Sequence, residues 1–73
     1  MKVKLLNDGK FNVLREIKFP CLFDVDAENI LGDTAVLIPV DMLIAAGARA
    51  DVLNSTGLHT LTFFIGSEVE VIS

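Results

Sequence analysis

Hydrophobic and polar residues alternate along much of this chain, which is the pattern of β-strands with one buried face. Residues 2–6 alternate and lead into "NDGK" at residues 7–10, whose Asn, Asp and Gly favour a turn. The longest alternating run covers residues 11–25, with odd-numbered side chains on the apolar face and an interruption near Arg15, where we expect a bend. Pro20 lacks a backbone N–H, so this run predicts a strand at a sheet edge or at a bulge.

The second half of the chain predicts both strands and a helix. Residues 34–38 are apolar on both faces, which indicates a central strand covered on both sides. Residues 41–46 favour a short helix, with Asp41 as its cap and Gly47 as its left-handed terminator. The remaining segments are predicted as loops at residues 27–33 and 49–57 and as the last two strands at residues 58–65 and 68–72.

The connection between the last two strands gives conflicting signals. Gly66-Ser67 suits a two-residue hairpin turn, which would place Glu68 and Glu70 on the same face as Phe63. The alternation requires a three-residue connection instead, and a one-residue slip inverts every side chain. We predict that the alternation prevails, so that residues 66–68 form a corner and both glutamates face solvent. The inward side chains would then be Phe63, Ile65, Val69 and Val71.

These elements predict a mainly β protein, α+β by count, that forms one domain over residues 1–73. The expected architecture is a small, strongly bent antiparallel sheet or a partly open five-stranded barrel with one short helix. Strand number alone gives it a resemblance to Src-homology-3-like and Sm-like small barrels.

Composition narrows the classes of function. The chain has no apolar run of 18 residues and no signal-peptide core, so we expect a cytoplasmic protein without a membrane partner. Its single cysteine, Cys21, excludes a disulfide framework and a cysteine-based zinc site. Because Cys21 lies on the apolar face of its run, we predict a buried, inert thiol.

Catalytic and metal-binding patterns are not found in the sequence. Asp24, Asp26 and Glu28 have the spacing that begins a calcium loop, but Asn29 and Ala35 stand where that loop requires Gly and Glu. Nothing in the sequence brings Cys21 and the lone His59 together as a catalytic dyad. We therefore predict no enzyme activity, no catalytic or metal-binding residues and no cofactor.

Charge is distributed unevenly, and this carries the alternative hypothesis. Residues 1–18 hold five basic and two acidic residues, a net of +3, whereas residues 19–73 hold one basic and eight acidic residues, a net of −7. Lys2, Lys4 and Lys18 could follow a phosphate backbone, which suggests a small-barrel binder of single-stranded nucleic acid. Such binders use aromatic platforms, and only Phe64 falls outside the predicted core, so we do not expect nucleic acid as the partner.

The preferred hypothesis is a non-catalytic interaction domain that acts through self-association and protein–protein contacts. In size and lack of motifs the chain resembles small uncharacterised accessory proteins of prophages and mobile gene cassettes. It carries more apolar residues than one small core can cover, including Leu14 and Leu22 on the outward face of their run. We therefore expect a homodimer, together with a protein partner that the sequence does not identify. The predicted interface, centred on the helix, consists of Leu22, Met42, Leu43, Ile44 and Phe64.

Overall fold

Two three-stranded antiparallel sheets and two short α-helices form the fold, which the computed structural model describes for residues 1–72. The strands are β1 (Lys2–Leu5), β2 (Cys21–Asp24), β3 (Ile30–Leu31), β4 (Ala35–Pro39), β5 (Thr60–Phe64) and β6 (Val69–Val71), and the helices are α1 (Val40–Ala45) and α2 (Ala50–Thr56). The predicted α+β class is confirmed. The prediction of five strands and one helix is short by one strand and one helix, and the two sheets do not close into a barrel.

Sheet A has the order β2-β1-β6 and sheet B the order β3-β4-β5. In sheet A, Val3 lies opposite Phe23 on one side and Val71 on the other. In sheet B, the central strand β4 buries Val36 and Ile38, which confirms the strand predicted at residues 34–38.

The core lies between the inner faces of the sheets. Phe63 is fully buried there, and the ring of Phe11 meets it edge-on at a centroid distance of 5.7 Å. The other large, fully buried side chains are Val3, Leu5, Leu14, Val36, Ile38, Leu43 and Val69.

The predicted strand over residues 11–25 is wrong over residues 11–20. Only Cys21–Asp24 is a strand, while Asn12–Leu14 forms a 3-10 turn in which Arg15 N–H donates to the Asn12 carbonyl. A 3-10 turn repeats every three residues rather than two, so it rotates Leu14 into the core instead of outward. Pro20 immediately precedes the edge strand β2, as expected of a residue without an N–H.

Helix α2 replaces the loop predicted at residues 49–57. Leu53 is its buried anchor, and Gly57, at φ +74°, supplies the left-handed residue that ends it. The Ser55 and Thr56 hydroxyls donate to the Val52 and Leu53 carbonyls. Residues that are typical of a turn therefore supply hydrogen bonds to carbonyl groups in the last turn of this helix.

The corner predicted at residues 66–68 is confirmed, since β5 and β6 belong to different sheets. Gly66 adopts φ +101°, and its N–H donates to the Val69 carbonyl at 2.9 Å. Phe63 and Val69 are buried and Glu70 is exposed, as the alternation predicts, although Val71 is 37% exposed.

The prediction that Glu68 simply faces solvent is wrong. Its side chain is half-buried, and its Oε1 accepts the Phe64 N–H at 2.9 Å. The Glu68 N–H donates in turn to the Phe64 carbonyl at 3.0 Å. Glu68 therefore satisfies both backbone groups of the last residue of β5.

Candidate interaction site

The structure separates the five residues predicted at the interface. Leu22, 60% exposed, and Met42, half-buried, line the same hollow, whereas Phe64, 56% exposed, lies on the other sheet. Leu43 is fully buried among core residues of its own chain, so its side chain is not accessible to a second copy and it leaves the predicted set. Ile44 is half-buried and packs against the same core.

The helix at the centre of the predicted interface is covered mostly by its own chain. Val40 and Leu43 of α1 are buried, and Met42 and Ile44 pack against the core while partly exposed. The chain itself therefore supplies most of the cover that this apolar helix requires. The apolar side chains of α1 that remain accessible are Met42 and Ile44, which are half-buried, and Ala45, which is exposed.

A hollow of about 320 Å³ lies between this helix and the edge of sheet A. Leu22 and Phe23 of β2 form one wall, and Met42 and Ala45 of α1 form the other. The complete lining is Cys21, Leu22, Phe23, Asp24, Met42, Ala45 and Ala46. We refer to β2 together with this hollow as the β2 edge.

Backbone groups point outward along the β2 edge. The Val25 N–H donates to the Met1 carbonyl at 2.8 Å, which identifies Met1 and Val25 as a hydrogen-bonded pair of the β1–β2 ladder. Hydrogen-bonded and non-hydrogen-bonded residues alternate in an antiparallel ladder. The N–H and C=O groups of Leu22 and Asp24 therefore point away from β1, and within residues 1–72 no strand lies on that side of β2.

Cys21 is half-buried and lines the same hollow, so the prediction of a buried thiol is wrong. Its Sγ lies 4.0 Å from the Leu22 carbonyl oxygen. The odd-numbered face on which Cys21 lies is the inner face, but β2 is an edge strand, so one flank of that face is open. Alternation reports the face of a residue and does not report its distance from the sheet edge.

The lysines of the alternative hypothesis do not form an uninterrupted basic surface. Lys2 lies opposite Asp24 and Lys4 lies opposite Glu70 in the ladders of sheet A. Lys18 lies outside the strands, in the segment before β2. A phosphate backbone that followed Lys2 and Lys4 would therefore also approach two carboxylates, and the geometry does not favour nucleic-acid binding.

The outer face of sheet B is a second exposed surface and carries no charge within its strands. Leu31 and Phe64 flank Ala35 in one row across β3, β4 and β5, and they cover Ala35 to 3% exposure. Sequence reasoning found Phe64 but missed Leu31, because residues 27–33 read as a loop. Leu31 and Phe64 are 47% and 56% exposed, so this face carries accessible apolar surface.

The candidate chemical groups remain apart. Cys21 and His59 line different cavities, and Asp24 is engaged with the N-terminal ammonium at 3.2 Å. Among residues 1–72, no group of three or more His, Cys, Asp or Glu side chains is placed to hold a metal ion. Over the same residues, no helix has the length and apolar character needed to cross a bilayer.

Sequence reasoning missed the backbone groups of the β2 edge. Pro20 was the signal that β2 lies at an edge, but strand order was needed to show which backbone groups that edge exposes. Comparison with protein-family models, curated proteins and solved structures gives no match for this chain.

Proposed function

We propose that this protein is a non-catalytic interaction domain that pairs with a second copy of itself through the β2 edge. The observation that carries the proposal is the outward direction of the Leu22 and Asp24 backbone groups beside an apolar hollow. An exposed strand edge of this kind is a template for adding a strand from another chain. As part of the same proposal, the protein is cytoplasmic and acts as an accessory protein.

Two β2 strands are self-complementary in the antiparallel direction. With a two-fold axis at Phe23, Leu22 of one protomer lies opposite Asp24 of its partner. Both residues direct their N–H and C=O groups outward, so each such pair exchanges two hydrogen bonds. The result is one continuous six-stranded sheet across the two-fold axis, which is the commonest symmetry of homo-oligomers.

The other strand edges are less suited to this pairing. At β5, Thr60, Thr62 and Phe64 direct their backbone groups away from β4, but Glu68 already bonds both the N–H and the C=O of Phe64 and so occupies one end of that edge. Strand β3 has only two residues. At β6, the Val69 carbonyl already accepts the Gly66 N–H. Strand β2 has four residues and leaves the outward groups of two of them to a partner strand.

Charge also favours the β2 edge. The chain carries a net charge of −4, so two copies repel each other over most approaches. On the outer face near β2, Asp24 alternates with Lys2 and Lys4, which makes this part of the surface nearly neutral. In the proposed pairing, Asp24 of one protomer lies in the same cross-strand row as Leu22 and Lys4 of its partner, so the lysine is two strands, about 10 Å, away.

Helix α1 supplies the remaining contact area. A strand of four residues extends only about 13 Å, and a stable interface buries about 800 Å² on each partner. A two-fold axis perpendicular to the sheet puts both helices on the same side, where Met42 of each protomer borders the joined hollows. Leu22 and Met42 are therefore the interface residues of this proposal.

Two charge substitutions at Leu22 test the pairing and its register. Leu22→Asp places a carboxylate opposite Asp24 of the partner, so we expect it to abolish association, since like charges directly opposite are destabilising. Leu22→Lys places an ammonium opposite Asp24, so we expect it to preserve association. Light scattering behind a sizing column measures the mass. Leu58→Asp is the matched control, because Leu58 is 53% exposed and lies away from β2.

Backbone methylation tests the hydrogen bonds directly. A synthetic chain with N-methyl-Leu22 loses one outward donor of β2 and keeps the β1–β2 ladder, so we expect a folded monomer by circular dichroism and light scattering. N-methyl-Thr62 is the control, because its N–H points outward from β5 by the same alternation. A monomeric parent chain at tens of micromolar overturns the proposal, as does association that N-methyl-Thr62 breaks and N-methyl-Leu22 does not.

A further inference from the structure

A cleft opens where the two sheets separate beyond the β5–β6 corner. Its volume is about 450 Å³, and its apolar floor is formed by Ile30, Ile65 and Val71. The complete lining is Ile30, Gly32, Asp33, Ile65, Gly66, Glu70 and Val71. We propose that this cleft binds an extended segment of a different protein in which basic and apolar residues alternate. This inference is independent of the pairing at β2.

The topology explains why the cleft exists. In the described residues β5 and β6 form no ladder, and an isolated bridge joins Ile65 to Val69 at the corner, after which the strands diverge into their separate sheets. Ile30 lies on the same face as the core residue Val36, opposite it in the β3–β4 ladder. The cleft is therefore a place where the inner, apolar faces of the two sheets are open to solvent.

Two glycines keep the rim of the cleft low. Gly32 and Gly66 have φ of +59° and +101°, a region that other residues rarely adopt. A Cβ atom at either position would meet no heavy atom within 4 Å. The space above both backbones is therefore open, and an extended chain can approach the floor between them.

Strand β6 offers backbone hydrogen bonds at this cleft. The Leu6 N–H donates to the Glu68 carbonyl and the Ile72 N–H donates to the Lys2 carbonyl, both at 2.8 Å. The alternation of the ladder then directs the Val71 N–H and C=O groups away from β1, on the side of β6 that borders the cleft. A bound segment can therefore add to β6 at Val71 as a short strand.

Charge selects the occupant. Asp33 and Glu70 stand at the rim, and none of the described residues that line the cleft is basic. Lys4 lies opposite Glu70 in the β1–β6 ladder, but the ion pairs within 4.0 Å among residues 1–72 are those of Asp24 and Asp51, so neither rim carboxylate is in an ion pair at that distance. An acidic segment would be repelled, and a second copy of this acidic chain is a poor match. A basic segment whose apolar residues reach the floor fits both features.

The peptide acetyl-Lys-Val-Lys-Val-Lys-amide is the probe, and amide chemical shifts of the labelled protein report where it binds. We expect saturable shifts at Gly32, Gly66 and Val71. The matched peptides with Glu in place of Lys, or with Ser in place of Val, separate the charge requirement from the apolar requirement, and we expect neither of them to bind at the same concentrations.

Two double variants of equal charge provide the decisive comparison. Asp33→Asn with Glu70→Gln removes the rim charges, and we expect it to weaken binding at least about fivefold at physiological ionic strength, as two partly desolvated ion pairs would. Glu16→Gln with Asp26→Asn removes two exposed charges elsewhere, and we expect no change. Equal weakening by both variants, equal binding of the Ser peptide, or shifts confined to other surfaces would each overturn the proposal.

Discussion

Phe63 and Phe64 are adjacent residues of one strand whose replacement by alanine should have opposite consequences. Phe63 is fully buried, its ring contacts Phe11, and an added Cβ at Gly9 would lie 3.1 Å from that ring. Phe64 is 56% exposed on the outer face of sheet B. The two substitutions remove the same atoms at neighbouring positions, so the difference between them measures what burial and the contact with Phe11 contribute at Phe63.

The expected loss at Phe63 is a large part of the total stability. Truncating a buried phenylalanine to alanine costs about 3–5 kcal/mol, because apolar contacts are lost and a cavity remains. The edge-to-face contact with Phe11 places the value in the upper part of that range. A chain of this length has a free energy of unfolding of about 4–11 kcal/mol. Phe64→Ala should cost less than about 1 kcal/mol, as a surface substitution does.

Urea unfolding followed by circular dichroism measures both values. If Phe63→Ala is too unstable to fold, Phe63→Leu gives a smaller loss, about 1–2 kcal/mol, with the midpoint lowered and the slope unchanged. A loss at Phe64 that equals or exceeds the loss at Phe63 would refute the inward register of β5 and, with it, the corner at residues 66–68.

Three further predictions concern individual polar groups. Glu68→Ala should lower the free energy of unfolding by about 0.5–1.5 kcal/mol and induce higher-order association through the freed β5 edge, whereas Glu70→Ala should do neither; urea unfolding and light scattering decide this. Modification of Cys21 by a bulky thiol reagent should block self-association without unfolding, while Cys21→Ser should associate normally; normal association of the modified chain would contradict the placement of Cys21 at the interface. The hydrogen bond from Arg49 lowers the pKa of Asp51 below 3.8. Asp51 therefore contributes stability above that pH, which is lost as pH falls through the lowered pKa. An NMR titration should show the low midpoint in the native chain and its return towards 3.8 in Arg49→Gln.

Alternation predicted the faces of the strands well. Val3, Leu5, Phe23, Phe63 and Val69 are all buried as expected, because a two-residue period survives wherever the backbone is extended. The helix predicted at residues 41–46 is shifted by one residue, which is within the ordinary uncertainty of a helix end.

Two segments were predicted wrongly because contacts with distant residues outweighed their local sequence. Residues 11–25 alternate in sequence, yet a 3-10 turn interrupts them and buries Leu14, since tertiary contacts outweigh a local pattern. Residues 50–56 contain Asn54, Ser55 and Thr56, which disfavour helix interiors, but the buried Leu53 fixes the segment as α2 against the core. In both cases a leucine, Leu14 or Leu53, is buried by contacts with core residues that are distant in sequence.

The candidate sites depend on the direction of backbone N–H and C=O groups, which the pattern of side chains does not show. Alternation assigns each side chain to a face, but the direction of each N–H and C=O depends on which strand lies alongside, and that order is set by contacts between distant residues. Leu22 was predicted to face outward, and it does. This alone does not distinguish a residue that only faces solvent from one at a strand edge that can pair with another chain. The Met1–Val25 hydrogen bond makes that distinction, since it directs the backbone groups of Leu22 away from β1. The same reasoning applied to Phe64 gives the opposite result, because Glu68 satisfies both of its backbone groups. Two exposed apolar residues with similar side-chain exposure therefore differ in whether their own backbone groups are free to pair with another strand.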